Sequence, residues 1–301
     1  MADPRVLVIG EALVDIVVTG DGSTEHPGGS PANVALGLAR RGRDVDLLTR
    51  LGGDPRASMI VRHLERSGVE VLSASFTDRA TSLARATLVD DGSARYDFDI
   101  DWRVPASLPD QRPDLVHTGS LAAFLEPGAA QLVKLLDELR PAVVTLDPNI
   151  RPDLLDHAPA VAQFEALTAR ATIVKLSDED AAWLYPGKTI EAVLSRIRSL
   201  GPRLVACTLG ADGAVLVAEE AQVRVPAVSV AVADTIGAGD AFMAALIDDY
   251  LTESGASDRV RLEHIGRRAA SAAAITVSRP GADLPWASEL VRTDSSERVH
   301  G

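Results

Sequence analysis

The sequence predicts an α/β fold with a mainly parallel sheet and a small second β-layer. Two observations support this fold class. Short apolar, β-branched runs alternate with amphipathic helical segments over most of the chain, and the alternation is interrupted once, between residues 81 and 100. Parallel βαβ units produce such alternation, because consecutive parallel strands need a crossover helix between them. The 301 residues suffice for one large α/β domain or two small ones.

The N-terminal elements follow from apolar runs and glycine signals. Pro31 suits the first turn of a helix, and Gly42 suits a helix end. The predicted elements are strands at residues 5–9, 13–18 and 45–49 and helices at 28–42 and 54–67.

The interruption reads as a β-hairpin. Two strand-like segments, residues 82–89 and 94–100, flank a turn that contains Gly92. A glycine-containing turn between two such segments is typical of a hairpin. Together with the strand at 13–18, this hairpin is predicted to form a small β-layer apart from the main sheet.

The alternation resumes after the proline-rich stretch at residues 105–113. The predicted strands are at 115–117, 142–146, 172–175 and 205–208, with an antiparallel pair at 213–217 and 222–226. The predicted helices are at 127–140, 159–169, 178–184 and 190–200, a helix that carries Asp240, and a helix at 258–274.

Composition narrows the function classes. The net charge is −13 and Lys and Arg are not clustered, which argues against duplex nucleic acid and anionic membranes as partners. A small polyanion such as ATP is not excluded, because backbone amides and one metal ion bind it locally. Cys207, the single cysteine, follows an apolar run and is predicted to be a buried structural thiol. The N-terminal residues lack a signal-peptide layout and no apolar run approaches membrane-spanning length, so we expect a cytoplasmic protein.

Several common motifs are absent or incomplete. Gly187-Lys-Thr189 lacks the upstream glycine of a phosphate-binding P-loop, since Ala182 stands there. There is no dinucleotide-binding glycine fingerprint after a strand, no metal-ligand spacing among the histidines and no G-x-S-x-G nucleophile elbow.

The most informative stretch is residues 233–246, a glycine-rich turn that runs into an apolar helix. Gly237 and Gly239 let the backbone approach a ligand closely. A helix predicted from Ala241 onward leaves the amides of this turn without intrahelical partners, which suits an anion such as phosphate. Asp240 is either a helix cap or a base beside this anion site, and the local chemistry alone favours the cap.

Asp15 interrupts the apolar strand at residues 13–18. An unpaired buried charge is costly, so Asp15 faces either a cleft or the solvent beside an edge strand. The local sequence leaves these two alternatives open.

Five motifs occur in order and carry a resemblance to a known family. They are Gly28-Gly29 with Asn33, Gly52-Gly53-Asp54, Asp147-Pro-Asn-Ile-Arg151, Thr208-Leu-Gly-Ala-Asp-Gly213 and Asp234-Thr-Ile-Gly-Ala-Gly-Asp240. In these motifs, and over roughly residues 6–285, the chain resembles the PfkB-type, ribokinase-like family of carbohydrate kinases.

The resemblance implies a three-layer α/β/α sandwich with a mainly parallel central sheet and a small β-sheet lid over the sugar. It implies one kinase domain over residues 1–301, with lid strands drawn from about 11–20 and 81–101. The implied activity is ATP-dependent phosphorylation of a hydroxymethyl group on a small carbohydrate. The implied cofactors are Mg²⁺ and, for the monovalent site, K⁺.

The resemblance also assigns site residues. Asp240 becomes the base, the backbone of Gly237, Ala238 and Gly239 becomes the anion site, and Asp15 is placed in the cleft. The implied sugar contacts are Asp15, Gly28, Gly29, Asn33, Phe98, Arg151 and Asp240. The implied ATP contacts are Ser177, Thr208, Gly210, Asp212, Gly213 and Gly239. The implied monovalent-cation positions, acting through backbone carbonyls, are Asp234, Ile236, Thr276, Arg279 and Gly281.

The chain departs from the family at the Mg²⁺–phosphate site. Many members carry Asn-x-x-Glu there, whereas this chain has Ser177-Asp-Glu-Asp180. Asp180 keeps a carboxylate for a metal-bound water, but its shorter side chain changes the reach. Similar serine-containing runs occur in the fructokinase-like branch, which the chain also resembles at residues 96–98, 117–120 and 147–151. Arg151 then contacts a sugar or phosphate oxygen, or forms a surface ion pair.

We therefore predict a fructokinase-like sugar kinase. The alternatives are a kinase for 2-keto-3-deoxygluconate, ribose or a nucleoside, because substrate choice lies in the lid and a few pocket side chains. An alternative of another class is a catalytically silent sugar-binding protein. The expected partners are the sugar and ATP, and the resemblance allows a homodimer through the lid.

Overall fold

Two β-sheets organise the chain, and the larger one lies between two layers of helices. The computed structural model describes residues 4–19, 22–88, 94–104, 112–219, 221–252 and 258–290. In chain order the elements are β1 (Val6–Ile9), β2 (Leu13–Thr19), β3 (Gly22–Gly28), α1 (Ser30–Arg40), β4 (Val45–Leu48), α2 (Pro55–Glu65), β5 (Val69–Val71), β6 (Leu83–Leu88), β7 (Ala94–Asp99), β8 (Leu115–Gly119), α3 (Gly128–Leu139), β9 (Val143–Asp147), α4 (His157–Thr168), β10 (Ile173–Ser177), α5 (Asp178–Leu184), α6 (Ile190–Ser199), β11 (Leu204–Thr208), β12 (Ala214–Val217), β13 (Gln222–Val225), α7 (Ala238–Thr252) and α8 (Arg259–Val277).

The larger sheet has nine strands in the order β13-β12-β11-β10-β9-β8-β1-β4-β5. Its strands are parallel except β12 and β13, which pair antiparallel with their neighbours. The register is regular: Val6 of β1 pairs with Val45 of β4 on one side and Leu115 of β8 on the other. The predicted mainly parallel sheet is confirmed, and so is the antiparallel pair at its end.

Side chains of the central strand alternate between two cores. Val6 and Val8 belong to a core that includes α1, α2, α7 and α8. Leu7 and Ile9 point to the opposite face, where α3, α4, α5 and α6 pack. Because successive strand residues face opposite sides, both faces of β1 are apolar and both are covered by helices. The predicted three-layer sandwich is confirmed.

The smaller sheet has the strand order β3-β2-β6-β7. β6 and β7 pair antiparallel, as the hairpin prediction requires, although its turn at residues 89–93 lies outside the described residues. β2 pairs parallel with β6. β3 was missed because residues 22–27 are polar and mostly exposed, so their strand conformation comes from pairing with β2 rather than from an apolar pattern.

A few predicted boundaries were wrong. The short strand β5 was not predicted, α4 begins at His157 rather than at residue 159, and α7 begins at Ala238 rather than at Ala241. Within the described ranges, no helix combines the length and the apolar character that crossing a bilayer requires. The extent of the single domain over residues 1–301 stays a prediction.

Helices α1 and α7 pack side by side and are joined by ion pairs at one end. Arg43, which follows α1, places its Nε 2.6 Å from Asp248 Oδ1 on α7. Arg41 reaches the other carboxylate oxygen of Asp248 at 3.4 Å. The opposite ends of these two helices carry residues of the candidate site.

Candidate active site

The predicted site residues converge at one edge of the larger sheet. β1, β8, β9, β10 and β11 are parallel, so their carboxyl ends lie at the same edge. The chain adds β4 and β5 on one side of β1 and adds β8 to β11 on the other. In open α/β sheets, ligands bind at the carboxyl edge near such a reversal of strand order.

Asp240 lies in the first turn of α7 and is held by α1. Ser30 Oγ donates a hydrogen bond to Asp240 Oδ1 at 2.7 Å, and Asn33 Nδ2 donates to Oδ2 at 2.8 Å. The carboxylate is thus engaged by side chains of the neighbouring helix, rather than by the amides of its own helix as a cap would be. Burial raises the pKa of Asp240, while the Ser30 and Asn33 hydrogen bonds and the charges of Lys175 and Arg151 oppose this rise.

The turn before Asp240 has the backbone geometry of an anion site. Gly237 has φ +78°, and a Cβ there would lie 2.8 Å from the Cβ of Ala282, so only glycine fits. Ala241 N donates to Gly237 O at 2.8 Å and closes the first helical turn. The amides of Gly239 and Asp240 lie within that turn and have no i−4 partner in the helix. They present N–H groups at the positive end of the helix dipole.

A buried lysine beside this turn was not predicted. Lys175 on β10 places its Nζ 3.0 Å from Asp147 Oδ2 at the end of β9, and both side chains are at most 5% exposed. A Cβ on Gly239 would lie 2.8 Å from Lys175 Nζ, so the ammonium group borders the anion site. The signal was a lysine inside an otherwise apolar strand, which marks a charge that needs a buried partner.

Lys175 and Asp147 each stabilise the charged form of the other. Burial raises the pKa of Asp147 to about 6, although the ammonium of Lys175 opposes the rise. Burial alone would lower the pKa of Lys175, but the carboxylates of Asp147, Asp180 and Asp240 outweigh it and raise the value. Both partners are therefore charged at neutral pH, and the cation faces a site suited to phosphate.

The smaller sheet contributes a row of side chains that face the same way. His26, Asp15, Ala84 and Phe98 are directly paired neighbours on β3, β2, β6 and β7. Directly paired residues share one face of a sheet. The Asp15 carboxylate lies over Gly28, where a Cβ would come within 2.0 Å of Asp15 Oδ2. Burial raises the pKa of Asp15, and the charges of Arg151 and His26 oppose this.

Arg151 follows β9 and lies within electrostatic reach of three carboxyl groups, those of Glu11, Asp15 and Asp240. Its Nη1 donates to the side chain of Asn149 at 2.7 Å and to the backbone carbonyls of Asn149 and Ile150. These acceptors are neutral, so the observed bonds are not those of a surface ion pair. The guanidinium group keeps its charge available at the site.

Glu11 is a second site residue that was not predicted. It follows β1, is buried, and accepts a hydrogen bond from Ala122 N at 2.9 Å through Oε2. Burial raises its pKa to about 7, while bonds from Ser120 and Ala122 oppose the rise. Its backbone oxygen lies 2.5 Å from the position of a Cβ on Gly29, so glycine is required where α1 begins. A glutamate directly after a buried strand was the available signal.

A cavity of about 550 Å³ opens beside the anion site. Thr208, Gly210, Gly213 and Gly239, four of the predicted ATP contacts, line it. The remaining lining is mostly apolar: residues 227–230 and Val232 follow β13, and Phe242, Ala270, Ala273, Ala274 and Val277 come from α7 and α8. A mostly apolar cavity with a few polar groups is typical of a small-molecule site.

The apolar side of this cavity was not predicted. Val228, Val230 and Val232 are 43%, 38% and 68% exposed. Alternating exposed valines outside a sheet are the signal that could have indicated a surface for a flat apolar group. Asp212, another predicted ATP contact, is exposed and does not line the cavity.

Ser177 and Asp180 form a capping box at the start of α5. Ser177 Oγ accepts from Asp180 N at 3.0 Å, and Asp180 Oδ2 accepts from Ser177 N at 2.9 Å. Asp180 Oδ1 accepts from Ile150 N at 2.7 Å. Each carboxylate oxygen thus takes one backbone amide and keeps a second lone pair. The structure places Asp180 near Lys175, but it gives Ser177 a capping role.

The predicted monovalent-cation positions are drawn together by Asp234. Its Oδ1 accepts from Ile236 N at 3.0 Å and its Oδ2 accepts from Gly281 N at 2.9 Å. The backbone amide of Asp234 donates to Val277 O, between the predicted positions Thr276 and Arg279. Asp234 therefore ties the segment before the anion site to the segment after α8.

Comparisons with known proteins agree with this geometry. A sequence model described as pfkB family carbohydrate kinase matches residues 3–289. The fructokinase of Salmonella typhimurium is 31% identical over 304 residues, covering 96% of this chain and 98% of that protein. A crystal structure of a fructokinase double mutant from Vibrio cholerae O395, bound to fructose, ADP and potassium ion, has a TM-score of 0.81 at 25% identity and covers 97% and 99% of the two chains. Aminoimidazole riboside kinase from Salmonella enterica shares the fold, with a TM-score of 0.79 at 24% identity over 96% and 99% of the chains.

Proposed function

The chain belongs to the pfkB family of carbohydrate kinases, and on that premise we propose that it phosphorylates a hydroxymethyl group of fructose or a closely similar ketose. Membership makes it an ATP-dependent sugar kinase. The proposal concerns the sugar and the residues that act on it. The observation that carries it is Asp240, a buried carboxylate held by Ser30 and Asn33 beside the amides of α7.

Asp240 is the proposed base. Its carboxylate is oriented by two side-chain donors, and burial raises its pKa, which makes it a stronger acceptor for the proton of a hydroxyl group. The hydroxyl oxygen that loses this proton forms a bond to the γ-phosphorus of ATP, while the bond from that phosphorus to the β,γ-bridging oxygen breaks and ADP leaves. Because the transition state of phosphoryl transfer is loose, positioning of the two reactants matters more than the strength of the base.

The developing charge on the transferred group needs donors at fixed positions. The amides of Gly239 and Asp240 supply two such donors, and the Lys175 ammonium group borders them. The Asp147 carboxylate fixes Lys175 through the 3.0 Å contact. These groups do not have to reorganise during the reaction, which is why they favour the transition state over the ground state.

ATP is proposed to lie in the 550 Å³ cavity, with its base against the apolar segment at residues 227–232. The predicted contacts Thr208, Gly210 and Gly213 line this cavity, and Ser177 is paired with Thr208 on the neighbouring strand. Mg²⁺, when bound, would neutralise negative charge on the phosphate groups. The lone pairs that Asp180 keeps fit a water ligand of that ion, and the backbone near Asp234 fits K⁺.

We propose that the smaller sheet is the lid over the acceptor. Asp15, Phe98 and His26 share one of its faces, and the Asp15 carboxylate lies over Gly28. Asp15 and Asn33 offer hydrogen bonds to sugar hydroxyl groups, and Phe98 offers an apolar surface for the ring. A closed lid also excludes water, which would otherwise compete as phosphoryl acceptor.

The charges around the acceptor favour an uncharged sugar. Glu11, Asp15 and Asp240 contribute three carboxyl groups, and Arg151 contributes one guanidinium group that already lies among them. An acidic sugar would add a fourth carboxylate. Arg151 is also the one observation that favours the second candidate, 2-keto-3-deoxygluconate, because guanidinium groups bind carboxylates well.

The small-molecule partners are a sugar and ATP, and we expect the enzyme to act in the cytoplasm, without nucleic acid or membrane partners. A homodimer through the lid stays a prediction. The test of the function is an ADP-release assay over ketoses, aldoses, sugar acids and nucleosides, with Mg²⁺ and K⁺. We expect the highest kcat/KM for fructose. A higher value for 2-keto-3-deoxygluconate would replace the proposed sugar, and no ADP release with any acceptor would favour a silent sugar-binding protein.

A further inference from the structure

Both backbone polar groups of Ala122 are held by buried side chains. Glu11 Oε2 accepts a hydrogen bond from Ala122 N at 2.9 Å, and Trp102 Nε1 donates to Ala122 O at 3.0 Å. All three residues are buried. We name this arrangement the Glu11–Ala122–Trp102 bridge.

The bridge connects the ends of two strands of the smaller sheet. Glu11 lies two positions before β2, and Trp102 lies three positions after β7. Ala122 belongs to neither strand, because it lies in the turn that follows β8 of the larger sheet. Two segments that flank strands of the smaller sheet are therefore attached to one residue of the turn that follows the larger sheet's β8.

The attachment point is closely packed. Ser120 has φ +50°, a left-handed conformation that is unfavourable for serine, and its hydroxyl donates to the Glu11 carboxylate. Gly119 packs on the end of β9, where a Cβ would lie 1.9 Å from Asp147 O. The Trp102 ring packs on Gly128, where a Cβ would lie 2.1 Å from ring Cδ1. Backbone atoms at Gly119 and ring atoms at Gly128 thus leave little free space beside the Ala122 turn and the Trp102 ring.

Each of the two proposed sugar contacts on the smaller sheet lies close in sequence to one of the bridge residues. Asp15 lies four residues after Glu11, and Phe98 lies four residues before Trp102. Asp15 and Phe98 both pair with Ala84 and share one face of the sheet. A displacement at either end of the bridge is transmitted along a short extended strand to the residues that would touch the sugar.

We infer that Glu11 and Trp102 are positioning residues that set the height and orientation of the lid above the acceptor, through their common attachment to Ala122. This inference rests on the proposed function of the smaller sheet as a lid. Neither side chain has to touch the sugar or ATP. Their effect is specific to the acceptor, because the bridge joins the lid strands and not the ATP cavity.

The test compares Glu11→Ala, Glu11→Gln and Trp102→Phe with wild type. Losing one net hydrogen bond of the bridge is expected to raise KM for the sugar about tenfold while KM for ATP stays unchanged. Glu11→Gln keeps an acceptor for Ala122 N and is expected to restore most of the sugar KM. The Glu11→Ala and Trp102→Phe effects are expected to be less than additive in the double variant, since either change breaks the same bridge.

A second readout does not depend on turnover. Amide hydrogen exchange in β2 and β7, measured without substrates, is expected to quicken in Glu11→Ala and Trp102→Phe. The matched control is Asp46→Asn, which removes the charge of another buried carboxylate. Asp46 lies on β4 of the larger sheet, and its Oδ2 accepts a hydrogen bond from Arg5 Nε at 3.2 Å. It is expected to lower stability without changing sugar KM or exchange in β2 and β7.

The outcomes separate the two proposals. Equal effects on the KM of sugar and ATP, or unchanged exchange in β2 and β7, would overturn the positioning role. Absence of turnover by wild type would refute the proposed function. The hydrogen-exchange experiment would still show whether Glu11 and Trp102 hold β2 and β7 in position. If Glu11→Ala does not fold, Trp102→Phe supplies the same comparison, because it keeps a large apolar ring on Gly128.

Discussion

Lys175 Nζ lies 3.0 Å from Asp147 Oδ2, inside the protein and directly beside Gly239 of the anion site. A buried ion pair is costly to form, since both charges lose their hydration. The pair stands where a triphosphate would bring several negative charges. Lys175 therefore places a buried positive charge beside the proposed phosphate site.

Lys175→Met should damage stability and turnover in separable ways. Removing the ammonium leaves Asp147 buried without a partner, so we expect a loss of about 3–5 kcal/mol in the free energy of unfolding. Adding Asp147→Asn should recover most of that stability, but kcat should stay about 10²–10³-fold below wild type because the donor is absent. Urea denaturation and steady-state kinetics measure the two effects.

The control for this pair is Arg170→Met, which breaks an exposed ion pair with Asp137. Exposed pairs contribute roughly 0–1 kcal/mol, so this change should leave stability and kcat nearly unchanged. Full recovery of kcat in the Lys175→Met, Asp147→Asn double variant would show that Lys175 has no part in phosphoryl transfer.

Asp240→Asn should lower kcat about 10²–10⁴-fold, because the amide cannot accept the hydroxyl proton. The substitution conserves shape, and the amides of Gly239 and residue 240 remain in place. ATP affinity, measured by calorimetry without sugar, should therefore stay within about twofold of wild type, well below the tenfold that 1.4 kcal/mol would produce. Asp153→Asn, a change of an exposed carboxylate near the site, is the control. Wild-type turnover by Asp240→Asn would refute the assignment of the base.

Glu11 should make the protein less stable as pH rises. Burial raises its pKa from 4.5 to about 7, so the folded state binds more protons than the unfolded state between these values. The contribution of Glu11 to the free energy of unfolding is largest below pH 4.5 and is lost as the pH rises through 7. Glu11→Gln lacks this titration, and each pKa unit corresponds to about 1.4 kcal/mol. The stability of wild type relative to Glu11→Gln should fall by about 2 kcal/mol between pH 5 and pH 8.

His117 should show the opposite sign. Burial, with a smaller effect of Lys175, lowers its pKa from 6.5 to about 3, and His117 Nδ1 lies 2.9 Å from Thr145 Oγ1. The unfolded state binds more protons between pH 3 and 6.5, so stability is lost as pH falls below 6.5. Relative to His117→Asn, wild type should gain about 2 kcal/mol between pH 5 and pH 8. A pH-independent difference, measured by denaturation at both pH values, would show that His117 does not titrate in this range.

The monovalent cation offers a prediction without a substitution. Replacing K⁺ by tetramethylammonium at constant ionic strength should lower kcat several-fold, because the bulky ion cannot fit between the backbone segments tied by Asp234. Asp234→Ala frees both segments and should make turnover insensitive to the exchange of cations. Equal turnover of wild type in both salts would remove the cation site.

The sequence was informative where the signal is local. The alternation of strands and helices predicted the mainly parallel sheet, and the segments around Gly92 predicted the β6–β7 pair. It failed where an element depends on a distant partner: β3 is polar and forms through pairing with β2. The site shows the same division. Asp240 was marked by its glycine turn, but its partner Asn33 lies 207 positions away, and only the family resemblance joined them.

Lys175 and Glu11 were missed for a related physical reason. Each is a charged residue at or beside a buried strand, and the sequence does not show which distant groups neutralise it. Lys175 depends on Asp147, 28 positions earlier, and Glu11 depends on Ala122, 111 positions later. A charged residue in an apolar run indicates that a partner exists, but only the folded chain identifies that partner.

Helices α1 and α7 are joined at two places. Ser30 and Asn33 donate hydrogen bonds to Asp240, and Arg43, which follows α1, forms an ion pair with Asp248. The two fastenings are eight residues apart on α7, about 12 Å along its axis, so α7 can neither slide nor turn against α1. The proposed base thus lies on this packed helix pair, and in the proposed function a closing lid would carry the hydroxyl group to it. Substitutions in the proposed lid can then change which sugars bind without moving the residues proposed for phosphoryl transfer. Sugar specificity and the catalytic residues can therefore evolve independently.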